Sequence, residues 1–382
     1  MLKIKHISLI LTLALTLLLS LSMPLSAEAD FGVPSCILME ASTGLILYEH
    51  NADEPLPPAS VTKIMTLLLV MEAVDEGRLG WEEPVQTSEY AASMGGSQVY
   101  LEPGEEMPVW EMVKCVVVSS ANDAAVALAE KVAGSEEAFV EKMNARAAEL
   151  GMTNTLFKNT NGLDDDVEGH VTSARDIAIM SRELITKHPK ILEYSSIWMD
   201  TIRGGEFGLT NTNRLIRFYR GANGLKTGST SKAKFCISAT AERNGMQLIA
   251  VIMAAQTRDE RNEAAKKLLD YGFAGWEVAR REPEPLGPMR VLGGVIDSVS
   301  LGYDAAQAVV KKGDGARIER RIELPESISA PVTEGDEVGR IDYLLDGEVI
   351  ASVPVRAAES AGKISYGEVL LRLLRRMMLV DM

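Results

Sequence analysis

The chain is short of the residues on which several kinds of chemistry depend. It has three cysteines in 382 residues, Cys36, Cys115 and Cys236. Their number is odd, none stands in a C-x-x-C spacing, and each has apolar neighbours. Neither a disulfide framework nor a zinc site is indicated, and buried packing thiols are expected. Beyond residue 29 only His50, His170 and His188 remain, no two at metal-ligand spacing, and they read as surface or turn residues. With G-x-S-x-G also absent, a zinc peptidase and a Ser-His-Asp hydrolase both lack their parts. Positive charge is in deficit too, with 39 Lys and Arg against 54 Asp and Glu and a net charge of −15. So acidic a surface repels phosphate backbones, which excludes nucleic acid as a partner. No repeat of 20 to 50 residues is evident.

What is present begins with Lys3, Lys5 and His6, an uncharged apolar stretch from Ile7 to about Leu21, and the small-residue end Ala27-Glu28-Ala29. Residues 1–29 read as a secretory signal peptide, the apolar part being too short, and too closely followed by Pro24, for a spanning helix. Its removal takes two lysines and one glutamate, leaving 37 basic against 53 acidic residues and a net −16. Roughly 350 remaining residues predict two domains and a core that needs no covalent staples.

Short apolar runs on either side of Ser42-Thr43-Gly44 predict a hairpin over 35–50. From Val61 to Glu76, Ile64, Leu67, Leu68 and Met71 recur at helical spacing, so a buried helix is expected to begin at Ser60 and stop at Gly77. Helices are also expected over 109–119 and 123–149, with Ser120-Ala121-Asn122 between them, where Ser120 or Asn122 can serve as a cap. "AKFCISATAE" and "MQLIAVIMAA" flank Arg243-Asn244-Gly245, a hairpin with a type I′-compatible Asn-Gly. From about Arg281 the texture changes. "REPEPLGP" (281–288) reads as a linker, and 289–358 as a small β domain. The last stretch returns to helical spacing, with Tyr366, Val369, Leu370, Leu373, Leu374, Met377 and Met378 on one face and Arg372, Arg375 and Arg376 on the other.

The segment "PPASVTKIMT" (57–66) places Ser60 and Lys63 three residues apart, on one face of a helix start. A serine hydroxyl is a weak nucleophile and needs a base. A free lysine, with a pKa of about 10.4, is protonated at neutral pH, so the site has to desolvate it or surround it with positive potential. The S-x-x-K sequences Ser229 with Lys232 and Ser231 with Lys234 lie at the entrance to an expected strand, where residues three apart face opposite ways. Ser60 is therefore favoured.

S-x-x-K at Ser60, S-x-N at Ser120 to Asn122 and K-T-G at Lys226 to Gly228 occur in the order that marks penicillin-binding proteins and serine β-lactamases. With "GGSQVYLEPGE", "ELGMTNTLFKNTNGLDD", "LTNTNRLI", "GLKTGSTSKA" and "RNEAAKKLLDYGF", the chain resembles the D-alanyl-D-alanine carboxypeptidases, low-molecular-mass penicillin-binding proteins, from its N-terminus to its final helix. The resemblance implies an α+β catalytic domain, a five-stranded antiparallel sheet flanked by helices plus a helical lobe, then a small all-β domain and an amphipathic helix. The divisions expected are 1–29, 30–280, 281–362 and 363–382.

The resemblance also implies roles. Ser60 attacks the penultimate D-alanine carbonyl of a peptidoglycan stem peptide ending in D-Ala-D-Ala, Lys63 is its base, and Ser120 relays the proton to the leaving amine. Asn122 holds Lys63 and a substrate amide, while Lys226 adds positive potential. Thr227 and Arg261 bind the terminal carboxylate, and backbone N–H groups of Ser60 and Ser229, beside Gly228, form the oxyanion hole. From the residues alone, the alternative for Arg261 is a surface helix residue paired with Glu260 or Glu263. No metal or organic cofactor is required, and β-lactams are expected as covalent inhibitors.

Two positions depart from the family pattern: Asn223 where aspartate is usual, and Lys234 where glycine is common. The competing readings are a β-lactamase-like hydrolase, against which the chain lacks the Glu-x-x-Leu-Asn of the class A type, and a non-catalytic wall scaffold. The final helix is too short to span a bilayer but long enough to lie in its surface, or to dock on its own β domain. Export to the outer face of the cytoplasmic membrane is expected.

Overall fold

Continuous apolar runs become the middle of a sheet. The computed structural model describes residues 30–164 and 167–377. The expected signal peptide, and Met378 in the expected apolar face, lie outside the described residues. Strands β1 (Ser35–Glu40) and β2 (Ile46–His50) form the first hairpin, and β3 (Ala222–Thr230), β4 (Lys234–Arg243) and β5 (Met246–Ala255) complete the sheet in the order β2-β1-β5-β4-β3. Every pairing is antiparallel. β1 is buried along its whole length and β5 nearly so, which is why neither sequence alternates. At the β4–β5 turn Asn244 and Gly245 both have positive φ, 53° and 77°, as a type I′ turn requires.

A single 3-10 turn, Ala59–Thr62, precedes α1 (Lys63–Asp75). The helix expected from Ser60 thus starts three residues later, and it is buried nearly all round rather than on one stripe. Every residue from Lys63 to Met71 is buried, because α1 runs inside the helical layer. Over 109–119 the chain is α-helical only as α2 (Val109–Lys114), then widens into a π turn, Cys115–Ser119. Such turns concentrate at functional sites. The helix expected over 123–149 is two, α3 (Asn122–Ala133) and α4 (Glu136–Glu149). Gly134, at φ 86°, ends the first, and the Ser135 hydroxyl caps the second by accepting from Ala138 N–H. With α5 (Ala174–Lys187) they pack around α1, while α6 (Arg258–Gly275) covers β4 and β5. All three cysteines are buried, and none is in a disulfide.

Beyond α6 the chain is β-rich. β6 (Trp276–Arg281), which the expected boundary at residue 280 cuts, pairs along its whole length with β7 (Ala306–Lys311). Residues 282–288 have no regular structure. β8 (Glu337–Leu345) and β9 (Glu348–Ala357) form the longest hairpin here, flanked by 319–323 and 301–302. Among the described residues the apolar core of this region includes three small clusters, whereas a far larger cluster fills the helical layer of the region before it. The helix α7 (Tyr366–Met377) follows.

Candidate active site

Lys63 is the first residue of α1 and has no exposed surface. Its Nζ lies 2.9 Å from Ser60 Oγ, 2.6 Å from Asn122 Oδ1 and 2.7 Å from the Asn161 carbonyl. None of these partners carries charge. Burial first, and the neighbouring Lys226 second, hold the Lys63 amine well below the usual lysine range, with Asp123 opposing them.

The π turn ends on Ser120 in the left-handed conformation, φ 62° and ψ 30°, with its hydroxyl accepting from Lys226 Nζ at 2.8 Å. Neither Ser120 nor Asn122 is the N-cap of α3: Ala121 occupies that position, with no side-chain cap. The Asn122 amide instead spans the site, donating to the Gly95 carbonyl at 2.7 Å while its oxygen faces Lys63. The neighbouring Asp123 accepts from Val99 and Leu101 N–H, both at 3.1 Å, and so ties that loop to α3. Lys226 is 1% exposed and donates also to the Thr227 carbonyl at 3.0 Å. Burial, then Arg261, push its pKa down to about 7. The two amines are coupled, because the charge on Lys226 disfavours a charge on Lys63.

β3 runs directly past the Ser60 turn. A Cβ on Gly228 would stand 2.9 Å from Ser60 N and 2.7 Å from the Pro58 carbonyl, so this close approach requires glycine. Gly162, at φ 85°, is similarly fixed, because a Cβ there would strike the Ala59 carbonyl. That contact holds the Asn161 carbonyl against Lys63. Ser60, Ser120, Thr227, Gly228, Ser229 and Arg261 share one cavity of about 600 Å³, with Lys63, Asn122 and Lys226 in the layer behind it.

Arg261 is buried in that wall rather than paired on the surface. Its guanidinium donates to Asn262 Oδ1 at 2.8 and 3.1 Å and to the Cys236 carbonyl at 3.5 Å. Glu263 pairs with Lys266 instead, and Glu260 accepts from Gln256 N–H. Thr227 Oγ1 donates to Thr212 Oγ1 at 2.8 Å.

Two of the three histidines are not the surface or turn residues expected. His170, 3% exposed, faces Thr62 within the Ser60 turn at 2.8 Å, and burial pushes its pKa down to about 4. Thr62 donates to the Ala59 carbonyl, so His170 Nε2 carries the proton, and Nδ1 accepts from Lys158 N–H. His188 is buried against Asp75. The two departures are accommodated. Asn223 exchanges hydrogen bonds with the Gln247 amide and accepts from Thr240 Oγ1 at 2.8 Å, a neutral network that needs no carboxylate. Lys234 has φ 58°, the conformation glycine favours, but its side chain is exposed and outside the cavity lining. Sequence reasoning missed Asn161, whose backbone rather than side chain is used, and Arg214 and Arg258, which line the cavity.

A serine on a helix start, two buried amines around it and an unneutralised arginine nearby define a serine acyl-transfer site. Residues 24–257 match the family described as D-alanyl-D-alanine carboxypeptidase, and 283–363 match the penicillin-binding protein 5 C-terminal domain. The chain belongs to the D-alanyl-D-alanine carboxypeptidase family. It is 43% identical to D-alanyl-D-alanine carboxypeptidase DacF of Bacillus subtilis over 348 residues, 89% of each chain. Among solved structures it resembles penicillin-binding protein 5 from Haemophilus influenzae, with a TM-score of 0.73 and 32% identity over 88% of this chain and 99% of that one. The ampicillin-bound form of penicillin-binding protein D2 from Listeria monocytogenes is 33% identical, with a TM-score of 0.59 over 64% of this chain and 100% of that one.

Proposed function

We propose that this serine D-Ala-D-Ala carboxypeptidase works through Ser60, with Lys63 as base, on peptidoglycan stem peptides ending in D-Ala-D-Ala. The observation that carries the assignment is the fully buried Lys63 amine, 2.9 Å from Ser60 Oγ and without a carboxylate partner. A neutral amine there accepts the hydroxyl proton as Oγ attacks the penultimate D-alanine carbonyl. The developing oxyanion is held by the N–H groups of Ser60 and Ser229. Thr227 and Arg261 bind the terminal carboxylate, which selects a C-terminal residue. As the intermediate collapses, the C–N bond breaks and the leaving amine takes a proton through Ser120, which lies on Lys226 Nζ. Water, deprotonated by Lys63, then attacks the acyl-serine and frees the shortened peptide.

A β-lactam acylates Ser60 by the same attack, in keeping with the ampicillin-bound Listeria relative. Fluorescent penicillin should label the wild type and not Ser60→Ala, and a diacyl-Lys-D-Ala-D-Ala peptide should release free D-alanine. Labelling without D-alanine release would leave a penicillin-binding scaffold, and labelling that survives in Ser60→Ala would remove the nucleophile assignment.

The reading extends to location. Residues 1–29 act as the export signal, the catalytic domain ends before Trp276, and the β-rich region is a stalk that sets its height over the membrane. Among the described residues no helix is long and apolar enough to cross a membrane. α7 instead exposes Tyr366, Leu370, Leu373, Leu374 and Met377, and reaches the β region through Arg372, which pairs with Asp297 at 3.0 Å. That exposed apolar face suits a membrane surface. Deleting residues 363–382 should move activity from the membrane fraction to the soluble one; an unchanged distribution would count against the anchor.

A further inference from the structure

The cavity beside Ser60 is larger than a leaving D-alanine needs. About 600 Å³ lies in the range that holds drug-sized ligands. Its wall also carries two cations to which the reaction above gives no task. Arg258 is the first residue of α6, one turn before Arg261 and on the same face. Arg214 stands two residues beyond Thr212, whose hydroxyl touches Thr227. Both line the cavity with Arg261, and no lining residue is acidic.

Neither Arg214 nor Arg258 has a side-chain hydrogen bond or ion pair among the described residues, whereas Arg146, Arg175 and Arg203 each hold a carboxylate. Three like charges gather here in a chain with an excess of acids, and Arg258 and Arg214 both disfavour the charge on Arg261. Such a cluster is stabilised by anions that enter it. The terminal carboxylate accounts for one. On another part of the wall Trp198 packs against Phe218, ring centroids 6.1 Å apart, and its Nε1 is buried without an acceptor. A buried indole donor left open also calls for an oxygen.

We propose that Arg214 and Arg258 form a second carboxylate subsite on the leaving-group side of the cleft. The subsite lies there because it adjoins Thr227 and Arg261, which hold the carboxylate of the departing residue, while the acyl part is bonded to Ser60. The enzyme therefore accepts a leaving amino acid that carries a carboxylate besides its terminal one. The reaction is unchanged: the same amide C–N bond breaks, the leaving amine gains the proton, and water hydrolyses the acyl-serine.

This inference rests on the carboxypeptidase reading, and one experiment separates the two. Diacyl-Lys-D-Ala-D-Ala and diacyl-Lys-D-Ala-D-Glu are compared as substrates for the wild type and for Arg214→Gln, Arg258→Gln and the double variant. Penicillin labelling of Ser60 serves as the folding control. The wild type should cleave both peptides, and the double variant should shift the ratio of their kcat/KM values at least about tenfold toward the D-Ala peptide, mainly through KM, since one lost charge-assisted contact is worth about that factor. A wild type that cleaves only the D-Ala peptide, or a ratio unmoved in the variants, overturns the subsite and leaves the carboxypeptidase standing. Cleavage of neither peptide removes both.

Discussion

The cations around the cleft and those of the β-rich region are handled in opposite ways. Lys63, Lys226 and Arg261 are buried and meet only neutral oxygens and one another. In the β region Arg317, Arg320, Arg321 and Arg340 are largely or partly exposed, and each lies on at least one carboxylate. Paired, exposed charges contribute little to stability and keep a surface soluble. Buried, unpaired ones are costly, and the cost persists where the depressed pKa is used. The contrast sets apart the three cations to which the proposed mechanism gives its chemistry.

Breaking the comparison at its most costly point should have the largest effect. Lys63→Ala leaves Ser60 without a base and should lower kcat/KM for the D-Ala-D-Ala peptide by about 10⁴-fold. A loss under tenfold would assign the base elsewhere. Gly228→Val should cost less, about 10²-fold in acylation by penicillin, since its Cβ pushes β3 away from Ser60 N. Acylation at the wild-type rate would show that β3 does not set the geometry.

The pH dependence sharpens the contrast within the pair of lysines. Lys63 must be neutral, so kcat/KM rises as pH climbs through its depressed pKa. Lys226 must be protonated, so kcat/KM falls as pH rises through about 7. Bound carboxylate raises the Lys226 pKa, which places the alkaline limb of kcat above that of kcat/KM. Coincident limbs would put Lys226 out of reach of the substrate. At the small end, Arg340→Ala, in the exposed set, should change stability by less than about 1 kcal/mol and leave catalysis untouched. A fall in kcat/KM there would show that the β region reaches the chemistry.

The candidate site was largely legible because the chemistry proposed for it uses side chains at fixed spacing. Ser60 and Lys63, Ser120 and Asn122, and Lys226 to Gly228 each sit within one local element, and these three local patterns meet in space. Asn161 was not legible: it meets Lys63 through its carbonyl, which any residue possesses, beside the close approach of Gly162 to Ala59. Arg214 and Arg258 come from different elements and become neighbours only through the fold. The continuous apolar runs of β1 and β5 gave the sheet, but the helix expected over 123–149 breaks because Gly134 and Ser135 form a stop and a cap within an otherwise unbroken helical pattern. His170 carries no periodic signal, and only the folded loop buries it behind Thr62.

The central claim is that Lys63 is a neutral amine in the resting enzyme. Its 13Cε resonance, assigned by its disappearance in a Lys63→Arg variant, can be titrated directly in lysine-labelled protein. The shift of an uncharged amine should persist at pH 7.5, with protonation appearing only on acidification. A Lys63 that stays charged at pH 7.5 and titrates near the ordinary value of about 10.4 would contradict the mechanism.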